Sequence, residues 1–455
     1  MPANLQSIDP NWAWSVYTPD AQQPFNRLLA AHLFRRAGFG VTSHALDKAI
    51  TQQPAELVKG MISSQQEHAD FRAEIDALAR TILATNNPEN LAAWWLYRLL
   101  GTPNQLLEKT TLFWHGHFAT GAEKVKDGEL MYQQNKLFRK HALGDFRQLV
   151  QGISKDPAML IYLDSITNRK AQPNENYARE VMELFCLGEG NYSEKDVQQV
   201  ARCFTGWEIR RKKFHFNRYQ HDKGEKTIFK HTGPFGGEEA VDIILQQPAA
   251  ANFIVRKMIH FFLFDEPAVP DTLVKPLADF FRDNAYHVGR LMERMLSSNL
   301  FFSKFSVGRK VRSPVELTIG LLIGLESKAD VFALHKDLKQ LGQALFYPPN
   351  VKGWEGGRNW INTSTLLSRS NVINKLINTK KSRFSAGKLE ELTTGYGLQK
   401  PDEIIDWLVA LTFAVPIPSE IRQQFIDLLD QPGDRSRQIA KVIQVMCSLP
   451  EFHLG

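Results

Sequence analysis

The chain is poor in cysteine. Three cysteines in 455 residues, Cys186, Cys203 and Cys447, stand far apart. With no CxxC pair among them, a thiolate zinc site is not expected. The odd, widely spaced count argues against a disulfide framework and for ordinary buried thiols. A long apolar run is also missing: nothing approaches the roughly 18 residues that a membrane-spanning helix needs. The opening MPANLQSIDPNWAW has no basic stretch leading into an apolar core and no twin arginine. As written, the chain is expected in the cytoplasm, or in the periplasm or outside the cell if a leader has been removed. Absent too are GxxxxGK[ST], GxGxxG after a strand, HExxH and GxSxG, so P-loop, Rossmann, zincin and α/β-hydrolase readings are poor. Charge of one sign is scarce. The 55 Lys+Arg and 49 Asp+Glu leave a net +6. That excess is too diffuse for a nucleic-acid partner, which needs clustered charge. No internal repeat or low-complexity segment is found.

What is present is helical pattern. With 43% apolar and 23% charged residues, the chain can bury a sizeable core and is not disordered. Residues 26–37 place Leu28, Leu29, His32, Leu33 and Arg36 at three- and four-residue steps and stop at Gly38. Similar patterns recur along the chain, and Ser193 and Ser313 open two of them with capping-box spacing. The exception is 207–231, where Phe214, Phe216 and Thr227–Phe229 read as two strands around an Asp222-Lys223-Gly224 turn. The expected fold is mainly α, a multi-helix orthogonal array with one inserted β-hairpin. The expected layout is an N-terminal arm (1–25), a main helical domain (26–379) and a C-terminal helical subdomain (380–455) packed on the main body. Residues 346–361, FYPPNVKGWEGGRNWI, form a long Gly/Pro loop of the sort that usually has a function.

Four segments can carry chemistry. Phe113-Trp114-His115-Gly116-His117-Phe118 holds a His-X-His pair. On an extended strand both rings would face one metal; on a helix they diverge by about 200°. The bland reading is two histidines at an aromatic helix end, bonded to backbone carbonyls. In Asn174–Phe185, Asn174 suits a helix N-cap, and Asn176, Glu180 and Glu183 fall on one face with Arg179 beside them. Two carboxylates at this spacing can hold a hard metal or act as acid and base, or merely form a solvated face. His221-Asp222 offers a ligand and a carboxylate, or an ordinary turn. In Ala201–Trp207, Arg202 has a plain role at a helix C-terminus, and Cys203 reads as packing. The basic stretches Arg210–Lys213 and Lys380–Arg383 read as solvated surface.

These segments, in this order, resemble a bacterial family catalogued as domain of unknown function number eighteen hundred. The likeness runs through HLFRRAGFG (32–40), FWHGHFAT (113–120), DPAMLIYLD (156–164), PNENYAREVMELFCLGEGNYSEKDV (173–197), ARCFTGW (201–207), the His-Asp hairpin and PPNVKGWEGGRNWI (348–361). It implies a mostly helical protein and supplies no activity. Many members are exported or tied to the envelope. Its hallmark positions are polar or aromatic, which implies a shared polar site that includes Glu175, Asn350, Lys352, Trp354 and Trp360.

The expectation is a polar cleft in a hydrolase or transferase acting on a glycan, phosphoester or peptide. Glu180, Glu183, Arg179 and Arg202 would be catalytic. Asn174, Asn176, Lys352, Trp354 and Trp360 would bind substrate. His115, His117, His221 and Asp222 would hold a divalent metal such as zinc, manganese or iron. The helix around 174–187 and the histidine turn would form the walls, and the hairpin and the 346–361 loop the lid. The rival is a non-catalytic binding or assembly protein of the cell envelope, whose carboxylates only balance Arg179 and Arg202.

Overall fold

The computed structural model describes residues 5–63, 67–378, 383–384 and 387–455. The fold is mainly α, with 24 α-helices among the described residues and short antiparallel hairpins. None of these helices is long and apolar enough to cross a membrane.

The helix starts obey simple capping chemistry. Asn26 accepts the N–H of Leu29 at the head of Arg27–Ala37. Ser193 and Asp196 form a reciprocal box at Glu194–Cys203, as do Ser313 and Glu316 at Pro314–Gly324. Each box satisfies donors that a helix N-terminus otherwise leaves open.

Apolar side chains gather in three clusters, and several helices stitch them together. Gln105–His117 sends Phe113 and Trp114 into one and Leu112 into the next. Pro314–Gly324 and Thr363–Asn378 each divide their apolar residues between the second cluster and the third. Helices after residue 389 close the third cluster over Ala30, Leu46 and Leu317. Backbones meet without side chains at two points that fix the site. A Cβ on Gly320 would lie 2.4 Å from the Phe39 carbonyl oxygen, and one on Gly353 would lie 2.1 Å from that of Gly116. Gly353 also has φ +77°, which L side chains rarely adopt. The long loop therefore lands on the histidine helix through bare backbone.

Two expectations about local structure need correction. The helix at 174–187 is α only over Asn176–Glu180 and continues as a π-helix over Val181–Cys186. The β insert is two hairpins, since Phe214 and Phe216 do not pair with Thr227–Phe229. Trp207–Arg210 pairs with Lys213–Phe216, and Lys226–Ile228 with His231–Gly233. The first turn is Arg211-Lys212, both at positive φ. A two-residue loop suits the twist of paired strands, but this one lacks the Asn or Gly that announces it. Arg210–Lys213 is thus a strand end and turn, and Lys212 pairs with Asp127 at 2.6 Å. Of Lys380–Arg383, only the backbone of Arg383 falls within the described residues, paired with Lys328. All three cysteines are free and buried.

Candidate functional site

The histidine segment is helical to its end, since Gln105–His117 runs through both rings. His115 and His117 consequently face different surroundings. His115 sits among Trp95, Phe346 and Trp354. Its Nε2 accepts the Phe346 N–H at 3.0 Å, and burial pushes its pKa down to about 3. His117 meets the π-helix instead. Its Nε2 is 3.0 Å from the Phe185 carbonyl oxygen, which can only accept, so Nε2 carries the proton. Burial first, and Lys257 second, hold the ring well below its ordinary pKa. Nδ1 is then bare and buried, without a hydrogen-bond partner among the described residues.

His117 lines two adjoining cavities. The larger, of about 570 Å³, lies between Phe113, Phe261, Phe264, Val269 and the 346–361 loop. The smaller, of about 270 Å³, is bounded by Glu183, Leu184 and Phe253. Lys257 and Lys352 line both as well. Lys257 lies in the Pro248–Phe262 helix with its Nζ 5.2 Å from the Phe253 ring centre. Burial lowers its pKa to about 8. Glu183 comes from the π-helix and accepts the Tyr192 hydroxyl. Beside it, burial and then Glu183 raise Glu180, against the pull of Arg179 and Lys352. At the inner wall of the larger cavity, Lys310 pairs with Asp265 at 2.6 Å and Glu316 with Lys109 at 2.5 Å.

Of the residues expected to bind substrate, Lys352, Trp354 and Trp360 line the larger cavity. The Trp354 indole N–H also anchors the loop through the Gly342 carbonyl at 3.1 Å. Asn174 does local work: its side chain accepts the Asn176 N–H at 3.0 Å and donates to the Asp164 carbonyl and the Thr167 hydroxyl. Asn176 is exposed.

The remaining positions lie elsewhere. Arg179 is held by Glu194 at 2.7 Å and Glu175 at 3.3 Å, and its pKa rises because of Glu194. Arg202 grips Asp222 through two nitrogens at 2.7 and 3.2 Å, which lowers the pKa of Asp222. The His221 Nδ1 is 3.0 Å from the Thr205 carbonyl oxygen. No hairpin residue lines either cavity, so the hairpins are not its lid. His115, His117, His221 and Asp222 do not form one ligand set. Among the described residues, no three His, Cys, Asp or Glu side chains are grouped to hold a metal ion.

Lys257, His260, Asp265 and Lys310 carry no motif that marks them in the sequence. One signal is available: Lys257 and His260 stand three apart, on one face of a largely apolar helix that also carries Asn252 and Arg256.

A family model described as "Protein of unknown function (DUF1800)" matches residues 32–454. The chain belongs to the DUF1800 family. The match spans the histidine helix, the π-helix, both hairpins and the long loop, and so contains every residue that lines the two cavities. No curated protein and no solved structure matches this DUF1800 chain.

Proposed function

We propose that the paired cavities are an acid/base active site of the hydrolase or transferase class. The substrate would be small, partly apolar and negatively charged, with phosphoesters first among the glycan, phosphoester and peptide options. The observation that carries this reading is the shared wall. His117, Lys257 and Lys352 come from three distant segments and line both cavities. Lys257 is also without an ion-pair partner among the described residues. A cavity of this size suits a metabolite-sized ligand, and its apolar walls strengthen charge interactions inside it.

The roles follow from protonation. With a pKa of about 8, Lys257 has a useful fraction of free amine near neutral pH and can take the proton of an attacking water or hydroxyl. Glu183, the carboxyl that lines the smaller cavity, serves the leaving group, with Glu180, raised by burial and by Glu183, behind it and outside both linings. Lys352 offsets substrate charge. The bare Nδ1 of His117 accepts a substrate N–H or O–H; its low pKa suits it to orientation and not to proton removal. Arg179 and Arg202 are left out, because carboxylates already hold them.

The test is a panel of phosphoesters, glycosides and peptides, together with pH-dependent labelling by an amine-reactive reagent. Turnover should rise with pH around 8 and vanish in Lys257→Met with the fold retained. Lys257 should label ahead of surface lysines with a midpoint near 8. A midpoint near 10.5, the ordinary lysine value, removes the base. One observation favours the rival binding protein: the carboxylates Glu194 and Asp222 do balance Arg179 and Arg202. Saturable ligand binding without turnover of any panel member would select it.

A further inference from the structure

Behind the inner wall of the larger cavity lies a group of buried cations. Arg35 and Arg36 come from the Arg27–Ala37 helix, Arg312 from just before Pro314–Gly324, and Arg369 from Thr363–Asn378. Their exposures are 5%, 2%, 5% and 0%. Their neighbourhood is shared. Arg36, Arg312 and Arg369 all sense the Glu316 carboxylate, and Arg312 also senses Arg35 and Arg369.

The carboxylates nearby are already engaged. Burial alone would raise Glu316; Lys109, Lys310 and Arg36 hold it down at about 2, and Lys109 is its contact partner. Asp265 contacts Lys310. Among the described residues, no Asp or Glu side chain lies within ion-pair distance of the four arginines, although Gly455 packs against Arg36 and Arg312. Carbonyls take only a small share of the donors. Arg312 Nη2 donates to the Thr412 and Phe452 carbonyls, and Arg369 Nη2 to that of Arg312 at 2.9 Å. All three nitrogens of Arg35, Nε and Nη2 of Arg36, Nε of Arg312, and Nε and Nη1 of Arg369 are buried with no hydrogen-bond partner among the described residues.

Water can satisfy such donors one by one but cannot neutralise four charges. Losing the protons is no escape, since guanidinium stays charged at neutral pH. An unpaired buried ion is costly on the scale of a protein's whole net stability. Planar guanidinium forks match the oxygens of a tetrahedral anion two at a time. We infer that this arginine cluster is a binding site for a phosphate-type oxyanion. Lys310, Ser313 and Glu316 line the cavity on one side and border the cluster on the other. The anion is therefore either free phosphate or the phosphoryl end of a ligand reaching through the cavity. The oxyanion site is independent of the acid/base reading, because it uses neither Lys257 nor His117.

The experiment uses the whole chain purified without phosphate or sulfate. Oxyanion released on unfolding in urea is measured by ion chromatography, and Tm is followed against inorganic phosphate and phenyl phosphate. The expected result is released oxyanion, or a saturable rise in Tm of roughly 3 °C at a hundredfold excess over Kd. Arg35→Met should abolish that rise and Arg179→Ala, which lies outside both cavities, should keep it; if Arg35→Met does not fold, Arg369→Met replaces it. Half-saturation about tenfold lower for phenyl phosphate assigns the anion to a cavity ligand, and equal or higher values assign it to free phosphate. The inference is overturned if no oxyanion is released and neither compound moves Tm, while Arg35→Met melts above wild type in every buffer. Those outcomes leave the labelling of Lys257 untouched, so either proposal can fail alone.

Discussion

Two parts of this molecule carry similar side chains in opposite states. Around the hairpins, Arg179, Arg202, His221 and Asp222 sit in partly exposed positions and satisfy one another or the backbone. At the wall between the cavities, buried His117 and half-buried Lys257 have no carboxylate holding them among the described residues, and desolvation displaces the protonation equilibria of both. The same residue types that stabilise structure in the first region are poised to meet a ligand in the second. What separates them is whether a partner is already in place, a property of the folded chain and not of the residue.

The contrast between paired and unpaired charge is tested most severely at Glu108. This carboxylate is buried between Arg98 and Arg139, with contacts of 2.6 and 3.0 Å. Burial would raise its pKa, but Arg139 and Arg98 override that and hold it at about 2. Glu108→Gln should lose about 3–5 kcal/mol in urea unfolding, because it strands Arg139 and leaves Arg98 with Glu67 alone. The folded-state pKa is depressed, so this stabilisation is present above about 4.5 and is lost as pH falls through about 2.

The next effect has the opposite sign. Burial disfavours protonated Lys257, so the folded state carries a penalty that is full below about 8 and fades toward 10.5. Lys257→Met should gain up to about 3 kcal/mol at pH 7 while removing the reactive amine. Its advantage should shrink steadily between pH 8 and 10.5. Equal losses in Lys257→Met and Glu108→Gln would erase the distinction between unpaired and paired sites.

Smaller changes belong to the hairpin side. Arg202 and Asp222 have side chains 27% and 19% exposed. Asp222→Ala should cost about 1 kcal/mol by chemical denaturation and leave the labelling midpoint of Lys257 unmoved. Arg179→Ala, on a partly exposed helix surface, should shift the unfolding midpoint by no more than experimental error. A large loss of turnover in that variant would restore Arg179 to the active site.

Much of the helical frame was legible because capping residues and apolar spacing act locally. Ser193 with Asp196, Ser313 with Glu316, and Gly38 all mark ends that the chain observes. Gly128–His141 is harder to read from spacing, because Gln134 and Asn135 are buried on its inner side and interrupt the apolar stripe. The hairpins were misjoined because Arg211-Lys212 adopts a tight turn without the usual residues. At the site, the loop around Lys352, Trp354 and Trp360 was visible as a motif. Lys257 was not, since its setting depends on Phe253 and on helices remote in sequence. His115 and His117 read as a pair on paper, and the helix separates them by turning each to its own side.

The π-helix over Val181–Cys186 has a consequence for how relatives are compared. The position of Glu183 depends on the number of residues in that turn as much as on their identity. Deleting one residue there, so that α spacing resumed, would swing the downstream residues by about 100°. The Phe185 carbonyl would leave His117, and the ring would be free to change tautomer. Two sequences could therefore share every polar hallmark, differ by a single gap, and not share a working site.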